Sequence, residues 1–250
     1  MPGPATRSAT PPFVHETPTS KALHFSMDVT QSRMDVRRPD ALELAYTRTM
    51  MGFLLFVPAP ASIAMIGLGG GSLAKFCHRH LPHTLMCVVE INAQVIALRD
   101  RFRVPPDSAR FVVLHADGAQ FVRLAPRRFD VLLVDGYDAS GLPRRLSSQR
   151  FYADCADLLA PGGVCVVNLP CLLPSSELPI THMRRAFSGE VLVVVAPEGG
   201  HRVVFACRGP TRARPRTAPP TRPRTLDGPA WATLQGEFAG IVRAWQEAHP

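Results

Sequence analysis

The sequence predicts an α/β protein built on a mostly parallel, seven-stranded sheet with helices on both faces. Three observations carry this expectation. The stretch from Ile63 to Phe76 passes from a β-branched apolar run through Gly67, Gly69, Gly70 and Gly71 into apolar residues at helical spacing, which reads as strand, tight turn and helix. Successive apolar strands then end in acidic residues: Glu90 closes the run from Leu85, Asp117 follows the run from Arg110 to His115, and Asp135 closes the run from Phe129. Strand and helix also alternate steadily from Ile63 to Cys207, the pattern of parallel strands joined by crossovers. In an open parallel sheet these strand ends share one edge, the edge at which such folds bind ligands.

Taken in order, residues 1–25 are rich in Pro, Thr and Ser without periodicity and are expected to form a disordered tail. Residues 26–62 read as a small strand and helix region. The alternation from Phe25 to Ser32 suits a strand, and Pro39 with Asp40 looks like a helix start. Leu42, Leu44, Ala45, Thr49, Met50 and Phe53 give that helix an apolar stripe, and Pro58 and Pro60 stop it. Tyr46 lies on it and reads, by spacing alone, as an aromatic at the edge of the core.

Residues 63–207 form the expected nucleoside-binding α/β domain. After the glycine turn, helices are expected over 93–103, 118–124 and 148–160, the last stopped by Pro161, Gly162 and Gly163. Val164 to Asn168 is a fifth buried strand, and Ser175 or Ser176 caps a helix reaching Phe187. The last two strands, 191–195 and 202–207, are joined through Glu198, Gly199 and Gly200 and should be antiparallel. Residues 208–224 read as an Arg/Pro-rich linker and 225–250 as a C-terminal helix.

The net charge of +8 raises the question of an acidic partner. Most of the excess lies in one acid-free stretch, at Arg208, Arg212, Arg214, Arg216, Arg222 and Arg224, so the charge reads as a solvated linker and argues against nucleic acid. Cys77, Cys87, Cys155, Cys165, Cys171 and Cys207 contain no C-x-x-C pair, and several sit inside apolar strands as small hydrophobes. With no apolar signal core at the amino-terminus and no run long enough to span a bilayer, a cytoplasmic protein without membrane association is expected. His78, His80 and His83 are loosely spaced and read as surface residues rather than metal ligands.

The chemistry concentrates at the strand ends. Glu90 lies 23 residues past Gly67, where an acidic residue binds ribose hydroxyls. Asp135 and Asp138 flank a loop just outside a buried strand, where a carboxylate pair could hold a metal, bind a cationic amine, act as a general base or simply brace a turn. The loop supplies too few further ligands for a metal.

Gly67 to Gly71, Glu90-Ile91-Asn92, Asp117-Gly118, Val134-Asp135 with Asp138, Gly141 to Pro143, Phe151-Tyr152 and Pro161 to Val164 together resemble the polyamine aminopropyltransferases, the spermidine synthase family. Tyr46, with Thr30, Gln31 and Ser32 before it, falls where that family has a channel Tyr and a donor-binding Gln. The likeness covers residues 27–207, and its first half is shared with nucleoside-binding methyltransferases. It implies a Rossmann-like fold of the S-adenosylmethionine-dependent methyltransferase type. It also implies aminopropyl transfer from decarboxylated S-adenosylmethionine to a polyamine acceptor, without a metal, and allows a homodimer. By the same likeness Gln31, Gly67, Gly69, Gly70, Glu90, Asp117 and Gly118 would hold the donor, Glu90 at the ribose and Asp117 at the adenine amino group. Asp135 would be the catalytic base, and Tyr46 and Asp138 would line the acceptor channel.

The sequence departs from the family at two residues, and the N-terminal β-region that typical members use for oligomerisation is curtailed in it. Gly70 stands where typical members carry an Asp for the donor's propyl amine, and Thr47 stands where a Gln commonly follows the Tyr. These departures keep ordinary S-adenosylmethionine open as the donor. They also leave a methyltransferase or a non-catalytic nucleoside or polyamine sensor as alternatives. A nicotinamide oxidoreductase would require a proton donor pair that the sequence lacks.

Overall fold

The computed structural model describes residues 11–25, 30–137, 141–171, 177–188, 191–209, 214–218 and 220–248. A three-stranded antiparallel meander comes first: β1 (Phe13–Glu16), β2 (Ser20–His24) and β3 (Thr30–Asp35). Two of these strands fall inside the tail expected to lack order. The strands are short and only partly buried, so they leave little apolar signature; Ala22, Leu23 and Met34 supply their apolar buried side.

Helix α1 (Ala45–Met50) continues into a 3-10 turn, Met51–Leu55. It starts later than the Pro39-Asp40 signal predicts. Asp40 does not cap it, because its Oδ2 instead pairs with Arg79 Nε at 3.1 Å and His80 Nε2 at 3.2 Å. The main body follows as β4 (Ser62–Ile66), α2 (Ser72–His80), β5 (Leu85–Glu90), α3 (Ala93–Ala97), β6 (Phe111–His115), α4 (Gly118–Leu124) and β7 (Phe129–Val134). It continues as α5 (Gln149–Leu158), β8 (Leu159–Pro170), α6 (Glu177–Ala186), β9 (Leu192–Val195), β10 (His201–Cys207) and α7 (Gly228–Ala248).

The seven strands of the main sheet run in the order β6-β5-β4-β7-β8-β10-β9. Pairings from β6 to β8 are parallel, and β10 is antiparallel to both its neighbours, as the hairpin signal at 198–200 predicts. The central strands read as continuous apolar runs because both faces are covered, with successive side chains alternating between two cores. Ile63, Met65, Val131, Leu133, Val164 and Val166 face a core shared with α2 and α7, whereas Ala64, Ile66, Leu132, Val134, Cys165 and Val167 face one shared with α4, α5 and α6.

Helix α7 belongs to the first of these cores. Trp231, Leu234, Phe238 and Ile241 recur at three- and four-residue spacing and are all buried, which is the stripe an amphipathic helix uses to dock. No helix among the described residues is long and apolar enough to cross a membrane.

Candidate active site

The C-terminal ends of β4, β5 and β7, with the start of α4, converge on a cleft. Crossovers between parallel strands bring these ends to one edge, so the site is a product of topology rather than of sequence proximity. Of the residues singled out in the sequence, Gln31, Tyr46, Gly67, Gly69, Glu90, Asp117, Gly118 and Asp135 all line it. Asp138 lies outside the described residues.

Gly67 leaves β4 with φ +92°, and a Cβ there would run into the Asp135 carbonyl oxygen. Glycine is therefore required both by conformation and by the approach of β7. Gly70 is placed differently. It is not among the cleft-lining residues, and a Cβ on it would lie 2.6 Å from Ser32 Oγ and 3.0 Å from Phe102 Cδ1. An Asp has no room at that position while Ser32 and Phe102 stand where they do.

Glu90 is buried and tied to the turn it faces. Its Oε2 accepts the Leu68 N–H at 2.8 Å and its Oε1 accepts the Asn92 N–H at 2.8 Å. An ionised carboxylate has about four acceptor sites, so two remain for hydroxyl donors in the cleft. Asp117 divides its oxygens likewise: Oδ1 caps α4 through the Ala119 N–H at 2.8 Å, and Oδ2 pairs with Arg145. Arg145 also lines the cleft, and nothing in the sequence pattern singled it out.

Asp135 occupies the floor. Its Oδ1 accepts from Asn168 Nδ2 at 2.9 Å and its Oδ2 from the Tyr46 hydroxyl at 3.2 Å. The surrounding protein desolvates the carboxyl and raises its pKa above the ordinary value, while the Asn168 and Tyr46 hydrogen bonds pull against that rise. Burial also lifts the Tyr46 pKa well above its usual value, reinforced by the Asp135 charge, so the phenol stays a donor.

Two further residues complete this constellation. Asn168 is buried near the end of β8, and Tyr137 donates to its carbonyl at 2.7 Å. The Asn168 side chain meets His201, whose Nδ1 lies 3.0 Å from Asn168 Oδ1, and the His201 ring stacks on Tyr46 with centroids 4.5 Å apart. No group of three or more metal-ligating side chains occurs among the described residues.

An acid at one strand end beside a glycine turn, with a partly desolvated carboxylate two strands away across the cleft, is the arrangement of a ligand site at the strand ends of an open α/β sheet. The chain matches the spermine/spermidine synthase domain over residues 43–194. It is 36% identical over 195 residues to a polyamine aminopropyltransferase of Neisseria meningitidis, covering 77% of this chain and 74% of the relative. It is 37% identical over 196 residues to that of Chromobacterium violaceum, covering 78% and 75%. A probable spermidine synthase from Corynebacterium glutamicum superposes with a TM-score of 0.69 at 20% identity, over 83% of this chain and 81% of that one. The chain belongs to the spermine/spermidine synthase family.

Proposed function

We propose that the protein transfers an aminopropyl group from decarboxylated S-adenosylmethionine to a polyamine amine, releasing 5′-methylthioadenosine. The observation that carries this reading is Asp135, a partly desolvated carboxylate held by Tyr46 and Asn168 on the floor of a nucleoside-type cleft. Glu90 takes the ribose hydroxyls on its two unused acceptor sites. Asp117 takes the adenine amino group on Oδ2, so Arg145 must move or share that oxygen when the donor binds.

An aliphatic amine is an ammonium at neutral pH, because it titrates near 10. Asp135 attracts that cation and accepts its proton. The freed nitrogen lone pair then attacks the propyl carbon attached to the sulfonium, the carbon–sulfur bond breaks, and its electron pair leaves sulfur neutral in the thioether product. The protein's part is to align the two reactants and place the base.

The donor's tail must be held without the carboxylate that typical members place at Gly70. Ser32 fills that space and bonds Ser72 at 3.3 Å, which offers hydroxyls instead of a charge. Incubation with decarboxylated or ordinary S-adenosylmethionine and a panel of diamines tests the reading. Methylthioadenosine and an elongated amine are expected; S-adenosylhomocysteine as the only nucleoside product would refute it.

The pH dependence follows from the Asp135 environment. Only the ionised carboxylate can accept a proton, so turnover should rise with pH along a limb set above that of an exposed carboxylate, near 4. Tyr46→Phe deletes a hydrogen bond to the charged form. The Asp135 pKa should therefore climb further and the limb move up by about one pH unit. Rates measured from pH 5 to 9 should fall most at the acid end; an unmoved limb would mean that the phenol does not act on the base.

A further inference from the structure

The network around Asp135 is a closed circuit, and one of its members contacts neither the cleft nor the carboxylate. We infer that His201 is a positioning residue for the base: it fixes the orientation of Asn168 through a hydrogen bond and that of Tyr46 through its ring, so that both keep donating to Asp135. The inference rests on the reading of Asp135 as the base.

The argument is a chain of forced choices. An ionised carboxylate only accepts, so the group that Asn168 presents to Asp135 Oδ1 must be its amide nitrogen, as the 2.9 Å contact has it. The Asn168 oxygen is thereby turned to His201 Nδ1 at 3.0 Å, and it too only accepts. His201 must carry its proton on Nδ1. Were that nitrogen bare, it would favour the flipped amide, which would aim the Asn168 oxygen at Asp135. Tyr46 closes the circuit, since its ring stacks on His201 at an interplanar angle of 25° while its hydroxyl reaches Asp135 Oδ2.

The backbone holds His201 in this position. It opens β10 opposite Pro170 of β8, and the register places Val203 opposite Asn168. The Ala196 N–H donates to the His201 carbonyl at 3.0 Å across the hairpin. The groups facing the ring are Tyr46 from α1, Asn168 from β8 and Glu198 from the hairpin, the last paired with Arg48 at 3.2 Å. Burial lowers the His201 pKa against the opposing pull of Glu198. The ring is therefore neutral at physiological pH and sets no positive charge against an incoming ammonium.

His201→Phe keeps a ring for Tyr46 and removes the donor to Asn168. Turnover should fall roughly 3- to 10-fold, about the worth of one hydrogen bond, and the acid limb should move up by about half a pH unit, with the donor KM unchanged. His201→Gln, which restores an N–H donor, should recover part of the loss. In the Asn168→Ala background, His201→Phe should cost little more, because its effect passes through Asn168. Additive losses, or a His201→Phe enzyme with the wild-type rate and limb, would overturn the inference. A ¹⁵N spectrum of histidine-labelled protein tests it without turnover: a neutral ring protonated on Nδ1 is expected, and protonation on Nε2 alone refutes it. Full activity in Asp135→Asn would overturn the base reading instead, a different outcome from failure at His201.

Discussion

Replacing Asp135 by Asn should lower turnover at neutral pH by about 10²- to 10⁴-fold, the usual range for loss of a positioned general base. The fold should tolerate the change. An Asn at 135 can accept from Asn168 on its oxygen and donate from its nitrogen to the Tyr46 oxygen, so both contacts of the carboxylate have a replacement. What is lost is the negative charge that draws the ammonium in and the lone pair that takes its proton. The acceptor KM should rise along with the fall in kcat, while nucleoside affinity stays within a few-fold, because Glu90 and the glycine turn are untouched. Raising the pH towards the amine pKa should partly rescue the variant by supplying free amine from solution. Near-wild-type turnover at pH 7 with an identified acceptor would show that the proton leaves by another route.

How far the site was legible before the fold depends on which force placed each residue. Glu90 and Asp135 could be read because each ends or follows a buried parallel strand, which shows in sequence as an unbroken apolar run, and Asp117 because it follows the apolar run of the edge strand β6. The glycine turn could be read because only glycine satisfies Gly67, where conformation and the approach of Asp135 agree. Asn168 carried the same signal, a polar residue near the end of the buried β8, but without a charge it did not stand out. His201 carried none. Its role depends on the antiparallel register between β8 and β10, which no local pattern encodes. The beginning of α1 departs from its local signal for a related reason: Asp40 offers a good local cap, yet tertiary contacts with Arg79 and His80 claim it.

The second large effect is expected at Glu90, and Gln should prove no milder there than Ala. Each Glu90 oxygen already accepts one backbone N–H, from Leu68 in the glycine turn and from Asn92 at the start of α3. Gln turns one of those oxygens into an NH₂ group. Whichever way the amide is oriented, a donor then faces a donor, and at the buried Leu68 contact no other acceptor relieves it. Ala leaves both N–H groups without their partner and opens the space behind the turn. An unsatisfied buried donor costs about 1–3 kcal/mol of stability, and losing the charge-assisted bonds to the two ribose hydroxyls costs about 1.5–3 kcal/mol of binding in all. Nucleoside affinity should therefore fall roughly 10- to 100-fold or more in either variant, with a lowered melting temperature. Glu90→Asp keeps the charge but is one methylene short, so it should lose the Leu68 contact before it loses the Asn92 one. Calorimetric titration with methylthioadenosine measures all three. If Glu90→Gln binds like the wild type, neither of the cleft-facing acceptor sites holds the ribose, and the nucleoside must be anchored elsewhere in the cleft.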